Sequence, residues 1–145
     1  MPFLIDMARL YEMFVSAWLR AQPGIGDHIK AQQRIDIGGR ANLHFAIDLV
    51  LYDHASGRPR IVIDTKYKLP ERPATDDIAQ VVAYAEAIGC HEAILLYPAA
   101  LPQPIDVQVG DIRVRSLSFA LDGDLEQAGR ELLAQLTDTP IAQHH

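Results

Sequence analysis

The 145-residue sequence predicts an α/β domain, a mixed sheet flanked by helices. Three observations carry that prediction. Apolar residues recur at helical spacing in three stretches, and short β-branched runs lie between them. The elements come in the order helix, three strands, helix, strand. The connection from the third strand to the fourth is long enough to hold a helix, which suits a parallel crossover.

Residues 4–22 read as a helix with Met7, Tyr11, Phe14 and Trp18 as its apolar stripe, and Pro23, Gly24 and Gly26 end it. Glu12 lies between that stripe and a polar face of Arg9, Ser16 and Arg20, where it could simply be a surface glutamate. A strand over 28–37 follows, closed by a Gly38–Gly39 turn, and then a strand over 43–52. The turn formers from Asp53 to Pro59 lead into the central strand, so these three strands should form an antiparallel meander.

A loop with Pro70 and Pro73 precedes Thr75, which suits an N-cap, with Asp76 and Asp77 at the positive end of a helix dipole. That helix runs to Ile88 on an apolar face of Ile78, Val81, Val82, Ala85 and Ile88, and Gly89 ends it. Gln80 and Tyr84, four apart, stack on another face. A strand from Glu92 to Tyr97 follows. Residues 105–109 and 112–115 form a hairpin around Gly110-Asp111, with Val109 facing Ile112 and Val107 facing Val114. A last helix buries Leu125, Ala128, Leu132, Leu133 and Leu136, and Asp124 with Gln127 is spaced as a capping box. We expect one domain over 1–137 and a frayed tail over 138–145.

Composition narrows the function. The hydrophobic fraction of 49% is that of a globular protein. No apolar run reaches the roughly 18 residues of a membrane helix, and no secretory leader is evident. With Cys90 alone, no internal disulfide can form, which fits a cytoplasmic location. A net charge of −6 argues against binding nucleic acid by bulk electrostatics. One basic group, Arg58, Arg60, Lys66, Lys68 and Arg72, brackets the central strand. The histidines lack metal-ligand spacing, and no nucleotide-binding loop is present, so no nucleotide is expected on this chain.

The chemistry concentrates at Ile61-Val-Ile-Asp-Thr-Lys-Tyr-Lys68. Side chains alternate along a strand, so Asp64 and Lys66 share a face. Charges at the end of an apolar strand need partners or a function. Asp48, in the middle of the apolar run from Phe45 to Leu51, lies a hairpin's length upstream. Two carboxylates with water and a backbone carbonyl make a Mg²⁺ site, because Mg²⁺ takes hard oxygen ligands and keeps several waters. An isolated Asp-x-Lys is far more often a structural strand-end ion pair, so the wider context decides.

That context is a helix with Glu12, a strand with Asp48, a strand ending Asp64-Thr65-Lys66 and a helix with Gln80-Val-Val-Ala-Tyr84. It resembles the PD-(D/E)xK nuclease superfamily, in its RecB-like Gln-x-x-x-Tyr branch. More narrowly it is similar to the nuclease domain of the McrC family, the cleavage subunit of the 5-methylcytosine restriction system. The resemblance runs from about residue 4 to about residue 120, and Ile47 stands where the superfamily usually has proline.

The resemblance implies a restriction-endonuclease-like core with an added hairpin and C-terminal helix. It implies Mg²⁺-dependent DNA cleavage, with Mn²⁺ substituting. Asp48 and Asp64 would hold the metal, Lys66 would be the catalytic lysine and Glu12 an outer carboxylate. Gln80, Tyr84 and Lys68 would support the site or touch DNA. Partners would be DNA, an AAA+ GTPase motor whose docking region is not expected in this chain, and a second copy of the chain. A repair or junction nuclease using the same residues, and a nuclease fold serving only for binding or assembly, are the alternatives.

Overall fold

The computed structural model describes residues 6–38, 43–69 and 75–137. Helix α1 spans Met7–Arg20, and a short 3₁₀ turn, Gly26–His28, leads into β1, Ile29–Gly38. Strands β2, Leu43–Tyr52, and β3, Pro59–Thr65, complete the meander. Helix α2, Thr75–Ile88, then carries the chain to β4, Glu92–Tyr97. Strands β5, Asp106–Val109, and β6, Ile112–Ser118, precede helix α3, Leu125–Thr137. The architecture is the expected mixed α/β one. The Gly39 half of the first turn, the prolines before α2, Arg72 and the tail over 138–145 lie outside the described residues.

All six strands form one sheet in the order β1-β2-β3-β4-β6-β5. The first three are antiparallel, and the crossover through α2 makes β4 parallel to β3. The hairpin has the expected register, Val109 against Ile112 and Val107 against Val114. Gly110 takes φ +61°, as the first position of a II′ turn requires. The hairpin is more than an addition, because β6 pairs parallel to β4 and continues the sheet to Ser118.

Each sheet face carries its own core. On one face Leu49, Leu51, Ile61, Ile63, Ile94 and Leu96 pack against α1 and α3. On the other, Val50, Val62, Ala93, Leu95 and Tyr97 pack against Val81 and Ala85 of α2. Burying one such aliphatic side chain contributes about 1.5–3 kcal/mol, so the two layers account for the arrangement. Among the described residues no helix is long and apolar enough to cross a membrane.

Three expectations are corrected. The buried line of α1 is Tyr11, Val15 and Leu19, with Phe14 and Trp18 flanking it, while Met7 is 42% exposed. The two lines share Tyr11, which donates to the carbonyl of Phe119 at 3.0 Å, and the buried one continues through Val15 and Leu19. The described members of the basic group do not lie together. Arg58 and Arg60 stand at the start of β3 and Lys66 and Lys68 beyond its end, and a seven-residue strand puts roughly 20 Å between its ends. Asp124 does cap α3, accepting from Glu126 and Gln127 N–H groups at 3.1 and 3.2 Å. The Gln127 side chain turns instead to Glu131, so the box is half made.

Gly129 in α3 lies against the indole of Trp18, which itself packs edge-on against Phe119 with ring centroids 5.1 Å apart. A Cβ at that position would overlap the indole. Replacing an exposed helical glycine by alanine normally stabilises by about 1 kcal/mol. Here overpacking reverses the sign: Gly129→Ala should destabilise by about 1–3 kcal/mol in urea unfolding. A stabilised variant would mean the α1–α3 contact is looser than described.

Candidate active site

The site arises where strand β2 loses its neighbours. Its register with β1 runs from Ile29–Leu51 to Ala31–Leu49, passes over Gln32 and Asp48, and resumes at Gln33–Ile47. Gln32 sits at φ +53°, a left-handed conformation uncommon for a residue with a side chain. On the other side, pairing with β3 starts only at Leu49–Ile63. Asp48 therefore lies where neither ladder holds β2. Alternation slips at the same point: Leu49 and Leu51 join the α1 core, whereas Ile47 joins the α2 core.

The Asp48 side chain bridges the gap. Its Oδ2 accepts from both the backbone N–H and the hydroxyl of Thr65, each at 2.9 Å. The same carboxyl group meets that of Asp64. Strand β3 meanwhile stays paired with β4 through Thr65–Leu96, so Asp64 is carried into the opening on the α2 side.

Asp64 is 5% exposed. Burial, and then the negative charge of Asp48, push its pKa up to about 7 against the pull of Lys66. Lys66 Nζ stands 2.9 Å from Asp64 Oδ2 as an ion pair, yet that buried oxygen has no partner in hydrogen-bonding geometry. Lys66 donates to Gln80 Oε1 at 2.9 Å and lies 3.5 Å from Asp77 Oδ1. Burial alone would lower the lysine's pKa, but the carboxylates outweigh it and hold it above the ordinary value.

Gln80 passes the contact on, donating to Tyr84 Oη at 2.8 Å. The Tyr84 ring stacks on Phe45 of β2 with centroids 4.7 Å apart. Burial and then Asp64 raise the pKa of the Tyr84 phenol, which keeps it protonated. The expected Gln80–Tyr84 face of α2 thus points at the sheet opening.

Glu12 approaches from α1. It accepts from the Gln32 side chain, and its pKa is raised, first by burial and then by Asp48. It is neither the plain surface residue nor a direct partner of Lys66. Lys68 is separate: exposed and without a contact to the carboxylates, it lines an open groove of about 690 Å³ with Asp6, Met7, Ala8, Thr65, Lys66, Tyr67 and Asp77.

Sequence reasoning missed four neighbours. Asp77 could have been found, since it precedes Gln80 by three and shares its helix face. Tyr97 ends an aliphatic strand, fully buried, and its hydroxyl lacks a hydrogen-bond partner. Burial and then Asp77 push that phenol up to about 12. Thr65 and Gln32 gave no signal of their roles.

Do these residues fit a divalent cation? Among the described residues no group of three or more His, Cys, Asp or Glu is placed to hold one. Two carboxylates are present and meet, with a buried Asp64 oxygen lacking a hydrogen-bond partner. That set fits a hydrated hard cation such as Mg²⁺, which takes one or two carboxylates and keeps its waters.

The family model described as "McrBC 5-methylcytosine restriction system component" matches residues 1–98. No match was found among the curated proteins.

The raised pKa of Asp64 has a sign. An acid whose folded pKa lies above its unfolded value stabilises the fold below the unfolded pKa, near 4, and loses that contribution as pH rises toward about 7. Metal-free protein should therefore lose melting temperature over that window on account of Asp64, and Asp64→Asn should flatten the loss. An equally steep fall in the variant would place the titration elsewhere.

Proposed function

The chain belongs to the McrBC family of 5-methylcytosine restriction system components, and on that premise we propose that it is the system's Mg²⁺-dependent DNA-cleaving part. The observation that carries this reading is the Asp48–Asp64 pair. Two carboxylates meet at the split edge of a sheet, one of them buried with an oxygen lacking a hydrogen-bond partner, beside a lysine held on three sides. Two carboxylates this close raise each other's cost of ionising, and Lys66 at 2.9 Å or a bound cation offsets it.

In this reading Asp48 and Asp64 hold the cation, Mg²⁺ or Mn²⁺. Bound there, the metal supplies positive charge to a phosphodiester and lowers the pKa of a water. Lys66 faces the same opening and offsets the negative charge that grows on the phosphate as water attacks. Glu12, on the rim beside Asp48, orients the incoming water. Gln80 and Tyr84 fix Lys66 from α2, and Lys68 meets the DNA backbone along the groove. The net charge of −6 leaves delivery of DNA to a partner, which fits a motor subunit that hydrolyses the nucleotide. Cutting both strands takes two such sites, which a second copy supplies.

Calorimetry with Mg²⁺ or Mn²⁺ tests the site. Wild type should bind, and Asp48→Asn and Asp64→Asn should each lose that binding. Absence of binding in the wild type, with and without DNA, would overturn the reading in favour of a non-catalytic assembly module.

Cleavage tests the roles. Lys66→Ala should keep metal affinity and lose cleavage by about 100-fold or more. Unchanged cleavage would remove Lys66 from the chemistry. Tyr84→Phe keeps the ring on Phe45, so it should lower activity with unfolding stability within about 1 kcal/mol of wild type. A large fall in melting temperature at normal specific activity would make Tyr84 a packing residue.

A further inference from the structure

Lys66 has one carboxylate too many for a simple strand-end pair. Asp64 Oδ2 is 2.9 Å from its ammonium, and Asp77 Oδ1 is 3.5 Å away on the α2 side. Gln80, one turn on from Asp77, supplies a neutral acceptor at 2.9 Å. If Asp64 turns its oxygen to a dication, the ammonium loses its nearest counter-charge and faces a like charge. Gln80 alone cannot offset that, because an amide oxygen carries no net charge. Asp77 can.

The backbone N–H of Lys66 bonds to Leu96 O at 2.8 Å, continuing the β3–β4 ladder past Thr65, so the lysine's own backbone stays in the sheet.

We propose that Asp77 is a positioning residue for Lys66, a second hold that keeps the ammonium in place when Asp64 is engaged by a metal. This rests on reading Lys66 as the catalytic lysine. Asp77 suits that role because it lies in the first turn of α2, where the helix dipole favours a carboxylate. The arrangement divides the labour between one acid that exchanges partners and one that does not.

The test uses the intact chain with Mg²⁺ added and needs no cleavage. Reductive methylation followed by mass spectrometry compares labelling of Lys66 with that of exposed Lys68. Asp77→Asn should raise relative Lys66 labelling about tenfold, the scale of one charged hydrogen bond, and Asp77→Glu should restore protection. Mg²⁺ affinity by calorimetry should stay at the wild-type value in both. On cleaved DNA the variants should lose kcat and keep KM. Lys66 labelling equal to wild type in Asp77→Asn would overturn the proposal, as would loss of Mg²⁺ binding, which would make Asp77 a ligand. If labelling changes as expected while the wild type cleaves nothing, the hold stands and the nuclease reading fails.

Discussion

The architecture depends on one local release: at Asp48, strand β2 is paired with neither of its neighbours. A sheet strand held on both sides would commit its backbone to ladders and leave alternate side chains to the two cores. Here the β1 ladder skips Gln32 and Asp48, and the β3 ladder has not begun. The sheet splits, and β3 continues with β4. The cleft so made is sealed at its root by Asp48 itself, through two bonds to Thr65. Removing that carboxylate would leave the Thr65 N–H and hydroxyl without their partner, so chemistry and local structure share one side chain.

The split also sets the electrostatics. Because β3 stays in the sheet, Asp64 is carried in under α2 and loses water. Two acids brought together in a poorly solvated place repel, and that repulsion is balanced by one lysine with several acceptors. The same balance would be restored by a cation. The left-handed backbone at Gln32 belongs to this economy of strain. It is an unfavourable conformation next to the gap, and the side chain so aimed reaches Glu12 on the facing helix.

Much of this was legible in the sequence because it follows two periods. Alternation placed Asp64 and Lys66 on one face, and helical spacing placed Gln80 above Tyr84. Apolar runs with turn formers gave the meander, the crossover and the register of the hairpin. What escaped were relations that neither period encodes. Nothing in the letters around Gln32 requires φ +53°. Tyr97 reads as one more buried residue until its hydroxyl is seen to lack a hydrogen-bond partner. Arg58 and Arg60 fall at one end of β3 and Lys66 and Lys68 beyond the other, as their bracketing of the strand in the sequence implies. In α1 the expected stripe and the buried line share Tyr11, whose hydroxyl bonds to a distant carbonyl.

That last bond reaches further than its one residue. Tyr11 Oη and Phe119 O are 108 positions apart, and Tyr11 adjoins Glu12. The helix that brings Glu12 to the rim is therefore fastened by the end of β6, beyond the portion of the chain that the family match spans. During synthesis the first helix, both aspartates and the lysine all leave the ribosome before Phe119 does. The rim is completed last, by a segment that carries none of the chemistry, so the nascent chain has its reactive residues in hand well before it has the clasp that sets them.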